Sequence, residues 1–196
     1  YGVPEVRGHV LRVVRELAER YGIDGLDLDF MRWPVYFKGD EVKANTPLMT
    51  DFIGEIRSIL DEAGKRRGRH MLLSVRVPLK IGEGEVDHGA PLDVHDVECL
   101  GIGLDVRTWI KEKGLIDMLC PMDFFYADWW TMIENMAEWR ALTDGTECGL
   151  YPTIHSMAWK DYGQPYISSE SYRGAAHSYY LHGAEGIALY NLWEEN

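Results

Sequence analysis

The spacing of apolar residues switches regularly between two patterns along the chain. Apolar residues that recur every three or four positions predict helices, and short apolar runs with small or polar residues at alternate positions predict strands. The helical pattern covers residues 4–20, 46–63, about 104–113, 131–142 and about 168–182. The strand pattern covers residues 23–31, 71–78, 115–125, 149–156 and 186–193. Strands and helices therefore alternate, which predicts an α/β fold with a parallel sheet and helical crossovers.

Residues with strong positional preferences mark several of the predicted helix ends. Pro4 suits the first turn of a helix, and Thr46 is predicted to be the N-cap of a helix that begins at Pro47. Gly183 directly follows the helix predicted to end near residue 182. Residues 80–100 are rich in glycine and acidic residues and predict a long loop.

Two architectures share this alternation of strands and helices. A doubly wound sheet usually carries a glycine-rich phosphate-binding turn directly after a strand, whereas the glycines of residues 82–85 and 101–103 lie in predicted loops. A (β/α)8 barrel carries polar, reactive residues at the C-terminal ends of several strands. The chain shows this second pattern, so residues 1–196 are expected to form one domain with a (β/α)8, or TIM-barrel, architecture.

Carboxylates occupy one face of the first predicted strand. Asp27 and Asp29 share a face with Gly25, while the intervening residues are leucines. Asp24 precedes the strand proper and is expected to be a structural residue. Asp27 lies deeper along the strand than Asp29 and is expected to be a hydrogen-bonded support. Asp29 lies at the strand end and is expected to be the functional carboxylate.

Polar and aromatic residues end the other strands as well. Arg76 is a candidate counter-ion for the strand carboxylates, because buried charges need partners, and a role in substrate binding is compatible with this. His155 suits either a ligand contact or a hydrogen-bonded core position. The aromatic residues that follow several strands would suit stacking against sugar rings. The residues at these strand ends are Ser74, Arg76, Asp123, Tyr126, Thr153, His155, Asn191 and Trp193.

Composition and charge exclude several classes of partner. With 20 basic and 32 acidic residues the formal net charge is −12, which argues against nucleic acid or an anionic membrane as the main partner. No apolar run reaches the length of about 18 residues typical of a membrane span. The N-terminal stretch lacks the pattern of a signal peptide and does not begin with Met, so we expect a piece of a longer chain.

Neither a metal site nor a cofactor is predicted. The three cysteines lack metal-ligand spacing and are expected to be buried free thiols. His88 and His95 lie among acidic residues in the predicted loop, without the spacing of a histidine metal motif. A serine-hydrolase G-x-S-x-G motif is also missing from the sequence.

The segment IDGLDLDFMRWP resembles the fourth-strand signature of barrel glycoside hydrolases, and in particular that of the uncharacterised glycosyl-hydrolase-like barrels. The matching positions are Asp24, Gly25, Asp29, Arg32, Trp33 and Pro34. Three further stretches are similar to the same family: PEVRGHV to its third helix, GLDVRTWIKEKGLIDMLCPMDFF to its helix and sixth strand, and GAEGIALYNLW to its eighth strand. The resemblance implies that this chain covers strands four to eight only, the C-terminal portion of a barrel.

A looser similarity connects the same segment to the family 18 chitinases. Asp24, Gly25, Asp27 and Asp29 fit their fourth-strand motif, but Met31 stands where the chitinases have their acid/base glutamate. Methionine cannot transfer a proton, so the chitinase mechanism does not carry over.

The resemblance implies a glycoside hydrolase that acts on a poly- or oligosaccharide through paired carboxylates. Asp29 is the expected nucleophile or base, held ionised by Arg76 or Arg32; Asp123 is the expected acid, and Glu194 is the reserve acid. The expected substrate-binding residues are Asp27, Arg32, Trp33, Arg76, Tyr126, His155, Asn191 and Trp193. A secreted or periplasmic location follows by analogy alone.

Two other functions remain open from the sequence. A non-catalytic carbohydrate-binding barrel would fit the methionine at position 31. A metal-dependent hydrolase of the amidohydrolase kind would need histidine and aspartate ligands on several strands, and only His155 qualifies.

Overall fold

The computed structural model describes residues 1–31, 35–82, 97–123, 129–156 and 167–190. Four α-helices lie within these ranges: α1 (Pro4–Arg20), α2 (Val42–Arg67), α3 (Trp129–Thr143) and α4 (Ser169–Leu181). The strands are β1 (Gly25–Asp29), β2 (Leu72–Pro78), β3 (Met118–Met122), β4 (Gly149–Leu150), β5 (Thr153–His155) and β6 (Ala188–Tyr190). The predicted alternation of strands and helices, and with it the α/β class, is confirmed.

All the strand pairs in the described ranges are parallel. One sheet has the order β1-β2-β3-β4, and a second pairs β5 with β6. β4 and β5 belong to one stretch of chain, separated only by Tyr151 and Pro152, so this stretch pairs first with β3 and then with β6. The strands therefore follow one another in space as they do in sequence, without the reversal of order that defines a doubly wound sheet.

The apolar face of the sheet packs against the helices. Leu73, Val75 and Val77 of β2 are each 0% exposed and lie in one core with α2 residues such as Ile53 and Leu60. This is the face opposite Ser74 and Arg76, as alternation along a strand requires. The two faces of β2 therefore differ as predicted: leucine and valine pack in the core, and Ser74 and Arg76 lie on the opposite face.

Two tryptophans are fully buried between elements. Trp109 donates from Nε1 to the Thr50 Oγ1 of α2 at 3.0 Å, and Trp139 of α3 donates to the Leu79 carbonyl at 2.7 Å. Each indole thus buries a large apolar surface while its single polar hydrogen finds an acceptor.

A charged network ties α2 to the beginnings of β2 and β3. Arg57, 8% exposed, donates to Asp61 and to Asp117 Oδ2 at 2.8 Å each, and to the buried Met71 carbonyl at 2.6 Å. Asp117 Oδ2 also accepts the Leu73 amide at 2.7 Å, and its other oxygen lies 2.6 Å from the His70 Nε2 (Asp117 is 21% exposed). This network lies at the N-terminal end of the strands, the end opposite to Asp29.

Two predicted helix boundaries are wrong. α2 begins at Val42, so Thr46 is not an N-cap; it lies inside the helix, where its hydroxyl donates to the Val42 carbonyl at 2.9 Å. Pro47 lies past the first turn of α2, where it lacks the amide that would donate to the Lys43 carbonyl. The helix predicted near 104–113 begins two residues later than predicted, and it is π-helical over Thr108–Glu112.

The strand boundaries also differ from the predictions. The strand predicted over residues 149–156 is interrupted, and the others begin one to three residues later than predicted. The last residues of the strands predicted over 115–125 and 186–193 lie outside the described ranges. Of the predicted loop over residues 80–100, Lys80 forms a bridge with Glu98, while residues 83–96 lie outside the described ranges.

Candidate functional site

The candidate site is built on the polar face of β1 and β2. Parallel pairing places Asp27 opposite Ser74 and Asp29 opposite Arg76. Gly25 opens β1 at a point where a side chain would not fit, because a Cβ there would lie 2.3 Å from the Leu72 carbonyl oxygen. The close approach of the two strands fixes the register, and the register brings the carboxylates to the arginine.

Arg76 bridges the two carboxylates of β1. Its Nη2 lies 3.2 Å from Asp27 Oδ2, and its Nη1 lies 3.2 Å from Asp29 Oδ2. The arginine side chain is 14% exposed, while those of Asp27 and Asp29 are 41% and 40% exposed. The predicted counter-ion contact is confirmed, and the three side chains together carry one net negative charge.

Asp27 lies inside β1 and Asp29 at its end, as predicted, but Asp27 is not the more buried of the two. The two carboxylates are almost equally exposed. The reason is the position of β1, which pairs with β2 alone among the described residues and therefore leaves both side chains open along one edge. Their contacts distinguish them instead.

Asp29 is held through both of its carboxylate oxygens. Oδ2 accepts from Arg76, and Oδ1 accepts the backbone amide of Met31 at 2.9 Å. The residue between them is also fixed: Phe30 donates its amide to the Arg76 carbonyl at 2.9 Å and accepts the Tyr36 hydroxyl at 2.5 Å. Asp29 is thus an oriented carboxylate whose side chain remains two-fifths exposed.

A tyrosine from the other sheet covers the arginine. The guanidinium carbon of Arg76 lies 5.2 Å from the centre of the Tyr190 ring, within the range of a cation–π contact. His155 pairs with Tyr190 in the β5–β6 register, and their rings meet edge to face at 5.3 Å. The contact between Arg76 and Tyr190 shows that the faces of β2 and β6 that carry them are turned toward each other. His155 is 7% exposed, so it is a buried neighbour of the site.

Small buried residues lie on β2, β3 and β5. Ser74 Oγ and Cys120 Sγ are 3.5 Å apart, and burial raises the pKa of the Cys120 thiol to about 11 despite the hydrogen bond with Ser74. Cys120 is therefore a protonated thiol at neutral pH and not a nucleophile. The Thr153 hydroxyl is buried, and its oxygen has no hydrogen-bond partner within the described part of the chain. As predicted, Cys99 and Cys148 are also free and buried.

Asp123 directly follows β3, at the same end of the sheet as Asp29, and is partly buried. The remaining predicted site residues fall outside the described ranges, as do His88 and His95. They are Arg32, Trp33, Tyr126, Asn191, Trp193 and the reserve acid Glu194.

Asp24 forms an ion pair with Arg69, and its side chain is 81% exposed. It lies just before β1 and pairs with Arg69 at the surface, and its structural role stays a prediction. Tyr190 is the residue that the sequence prediction missed. The prediction took Asn191 and Trp193 at the end of the predicted strand, and Tyr190 lies on the other face of that strand by alternation.

Within the described ranges, no group of three or more histidine, cysteine or acidic side chains is arranged to hold a metal ion. A helix long and apolar enough to cross a membrane is also missing from the part of the chain that the structure describes.

No protein-family model matches the chain, and no curated protein matches it.

Proposed function

We propose that the chain forms strands four to eight of a (β/α)8 barrel that hydrolyses glycosidic bonds in a poly- or oligosaccharide. The strand order supports this architecture, because a (β/α)8 barrel pairs each parallel strand with the next one along the chain. The contact between Arg76 and Tyr190 also supports it, since it brings β6 to the face of β2 that is turned away from the helices.

The observation that carries the proposed chemistry is the double anchoring of Asp29. Glycoside hydrolysis needs one carboxylate that remains ionised, to act as nucleophile or base, and one acid that donates a proton. Hydrogen bonds from a guanidinium and from a backbone amide both orient the carboxylate that accepts them. Asp29 has both partners and remains accessible to a substrate.

The acid of the proposed pair comes from another strand. Asp123 follows β3 at the same end of the sheet and is the first candidate. Glu194, beyond β6, is the second. A separation of the two carboxyl groups of about 5–5.5 Å would give retention of configuration, and about 6.5–9.5 Å would give inversion.

A panel of polysaccharides tests the proposal, with reducing-end release as the measurement. Asp29→Asn keeps the size of the side chain and removes its charge, and we expect it to lower turnover by about 10²- to 10⁴-fold. Asp24→Asn is the matched control, because it makes the same change just before the same strand, next to Arg69 instead of Arg76. Wild-type turnover in Asp29→Asn would refute the assignment.

One observation favours a second function, a carbohydrate-binding barrel without catalysis. Met31, where the chitinase motif has glutamate, is 3% exposed and packs in the interior. The same panel separates the two functions: retention of a glycan on the immobilised protein, without any release of reducing ends, would favour the binding barrel.

A further inference from the structure

Arg76 is contacted from three neighbouring strands. Its two terminal nitrogens contact Asp27 and Asp29 of β1, and its guanidinium carbon lies over the Tyr190 ring of β6. Cys120 of β3 lies near enough to Arg76 for the positive charge to lower the pKa of its thiol slightly, against the larger effect of burial. The Arg76 Nε is buried, with no acceptor among the described residues.

These contacts constrain the arginine in different directions. The two ion pairs hold the guanidinium toward β1, but both carboxylates are two-fifths exposed and lie on a strand at the edge of the described sheet. Water competes for exposed ion pairs, and such pairs alone restrain a long side chain weakly. The Tyr190 ring lies against the guanidinium from β6 and adds a restraint that does not come from β1.

We propose that Tyr190 is a positioning residue, whose ring holds Arg76 between Asp27 and Asp29 and so fixes the geometry of the carboxylate pair. It acts through the arginine. The ring face turned toward Arg76 is occupied, and His155 meets the ring from another side, so Tyr190 does not offer that face to a sugar. The catalytic consequence rests on the proposed glycoside hydrolase function, whereas the positioning itself does not.

The first test is spectroscopic and needs no activity. Protons of a guanidinium that lies over an aromatic ring are shielded by the ring current, so the side-chain N–H signals of Arg76 in the NMR spectrum of the wild-type chain should be shifted upfield. Tyr190→Phe keeps the ring and should keep this shift, whereas Tyr190→Leu should lose it. Tyr180→Leu is the matched control, because Tyr180 is 53% exposed on α4. Arg76 signals that show no ring shift in the wild type, or the same shift in Tyr190→Leu, would overturn the proposal.

The second test is kinetic. Tyr190→Leu should lower kcat by about 2- to 30-fold, the range that corresponds to the loss of a cation–π contact, with little change in KM. Tyr190→Phe should restore kcat, and in an Arg76→Met background Tyr190→Leu should have no further effect, because the residue acts through the arginine. Equal and additive losses in both backgrounds would overturn the proposal.

The two tests separate the two proposals. If the Arg76 signals behave as expected but the wild type releases no sugar from any glycan, the proposed hydrolase function fails and the positioning stands. Should Tyr190→Leu fail to fold, Tyr190→Met replaces it, and the ring shift of the wild type remains decisive by itself.

Discussion

Replacement of Arg57 by methionine removes the charged centre of the network that joins α2 to β2 and β3. The arginine donates to Asp61, to Asp117 and to the Met71 carbonyl, and its side chain is only 10% exposed. Methionine fills most of the same volume but donates no hydrogen bond. The substitution therefore tests the network with little loss of packing.

The expected cost follows from the exposure of each partner. Removal of one member of a buried ion pair costs about 3–5 kcal/mol, because the other charge is left without compensation. The pair with Asp61 contributes little, since that carboxylate is 45% exposed. Asp117 is 21% exposed and keeps the Leu73 amide, which moderates the cost. We expect a loss of about 3 kcal/mol in the free energy of unfolding.

Urea denaturation followed by circular dichroism measures this loss. With a slope of about 2 kcal/mol per molar urea, Arg57→Met should lower the unfolding midpoint by about 1.5 M at an unchanged slope. Asp61→Asn is the control within the same network and should lower the midpoint by less than about 0.5 M. Equal midpoints for the two variants would refute the reasoning, because the buried contacts of Arg57 with Asp117 and Met71 would then contribute nothing.

Three further outcomes follow from buried groups. Burial raises the pKa of the Cys120 thiol from an ordinary value of 9.0 to about 11, so its protonation stabilises the fold below pH 9. This contribution is lost as the pH rises toward 11, by up to about 1.4 kcal/mol per pH unit, and Cys120→Ala should flatten the unfolding free energy measured over this range. Gly103→Ala should destabilise the fold by about 1–2 kcal/mol, because φ at this position is +88° and a Cβ would lie 2.9 Å from the Phe37 ring. Thermal melts measure this loss, and an unchanged Tm would contradict it. Trp109→Phe leaves the buried Thr50 hydroxyl without its donor and should cost about 1–3 kcal/mol in urea titrations, whereas an unchanged midpoint would show that this hydroxyl finds another partner.

Helix ends were predictable where a residue with a strong positional preference marks them. α1 starts at Pro4 as expected, and α4 ends before Gly183, whose φ of +93° suits glycine. The start of α2 was not predictable from Thr46 and Pro47. Threonine can be the N-cap or lie inside the helix, and proline can lie at the first helical position or further along. The π-helical turn at Thr108–Glu112 also escaped prediction, since apolar spacing does not distinguish it from a short α-helix.

The candidate site also combines contacts that were predictable from the sequence with contacts that were not. The contact of Arg76 with Asp27 and Asp29 was predictable, because alternation fixes the face of each side chain and clustered carboxylates need a cation. The role of Tyr190 was not, because it depends on how β6 is oriented toward β2, and no local pattern encodes that orientation. The equal exposure of the two aspartates likewise depends on which strands pair with β1.

The succession of strands in chain order also has a consequence for synthesis on the ribosome. From β1 to β4, each described strand pairs with the next strand along the chain, so β1 and β2 can associate before β5 and β6 exist. The ion pairs of Arg76 with Asp27 and Asp29 can therefore form early. Tyr190 arrives on the last described strand, so the arginine receives its aromatic cover only after the rest of the described sheet has been synthesised.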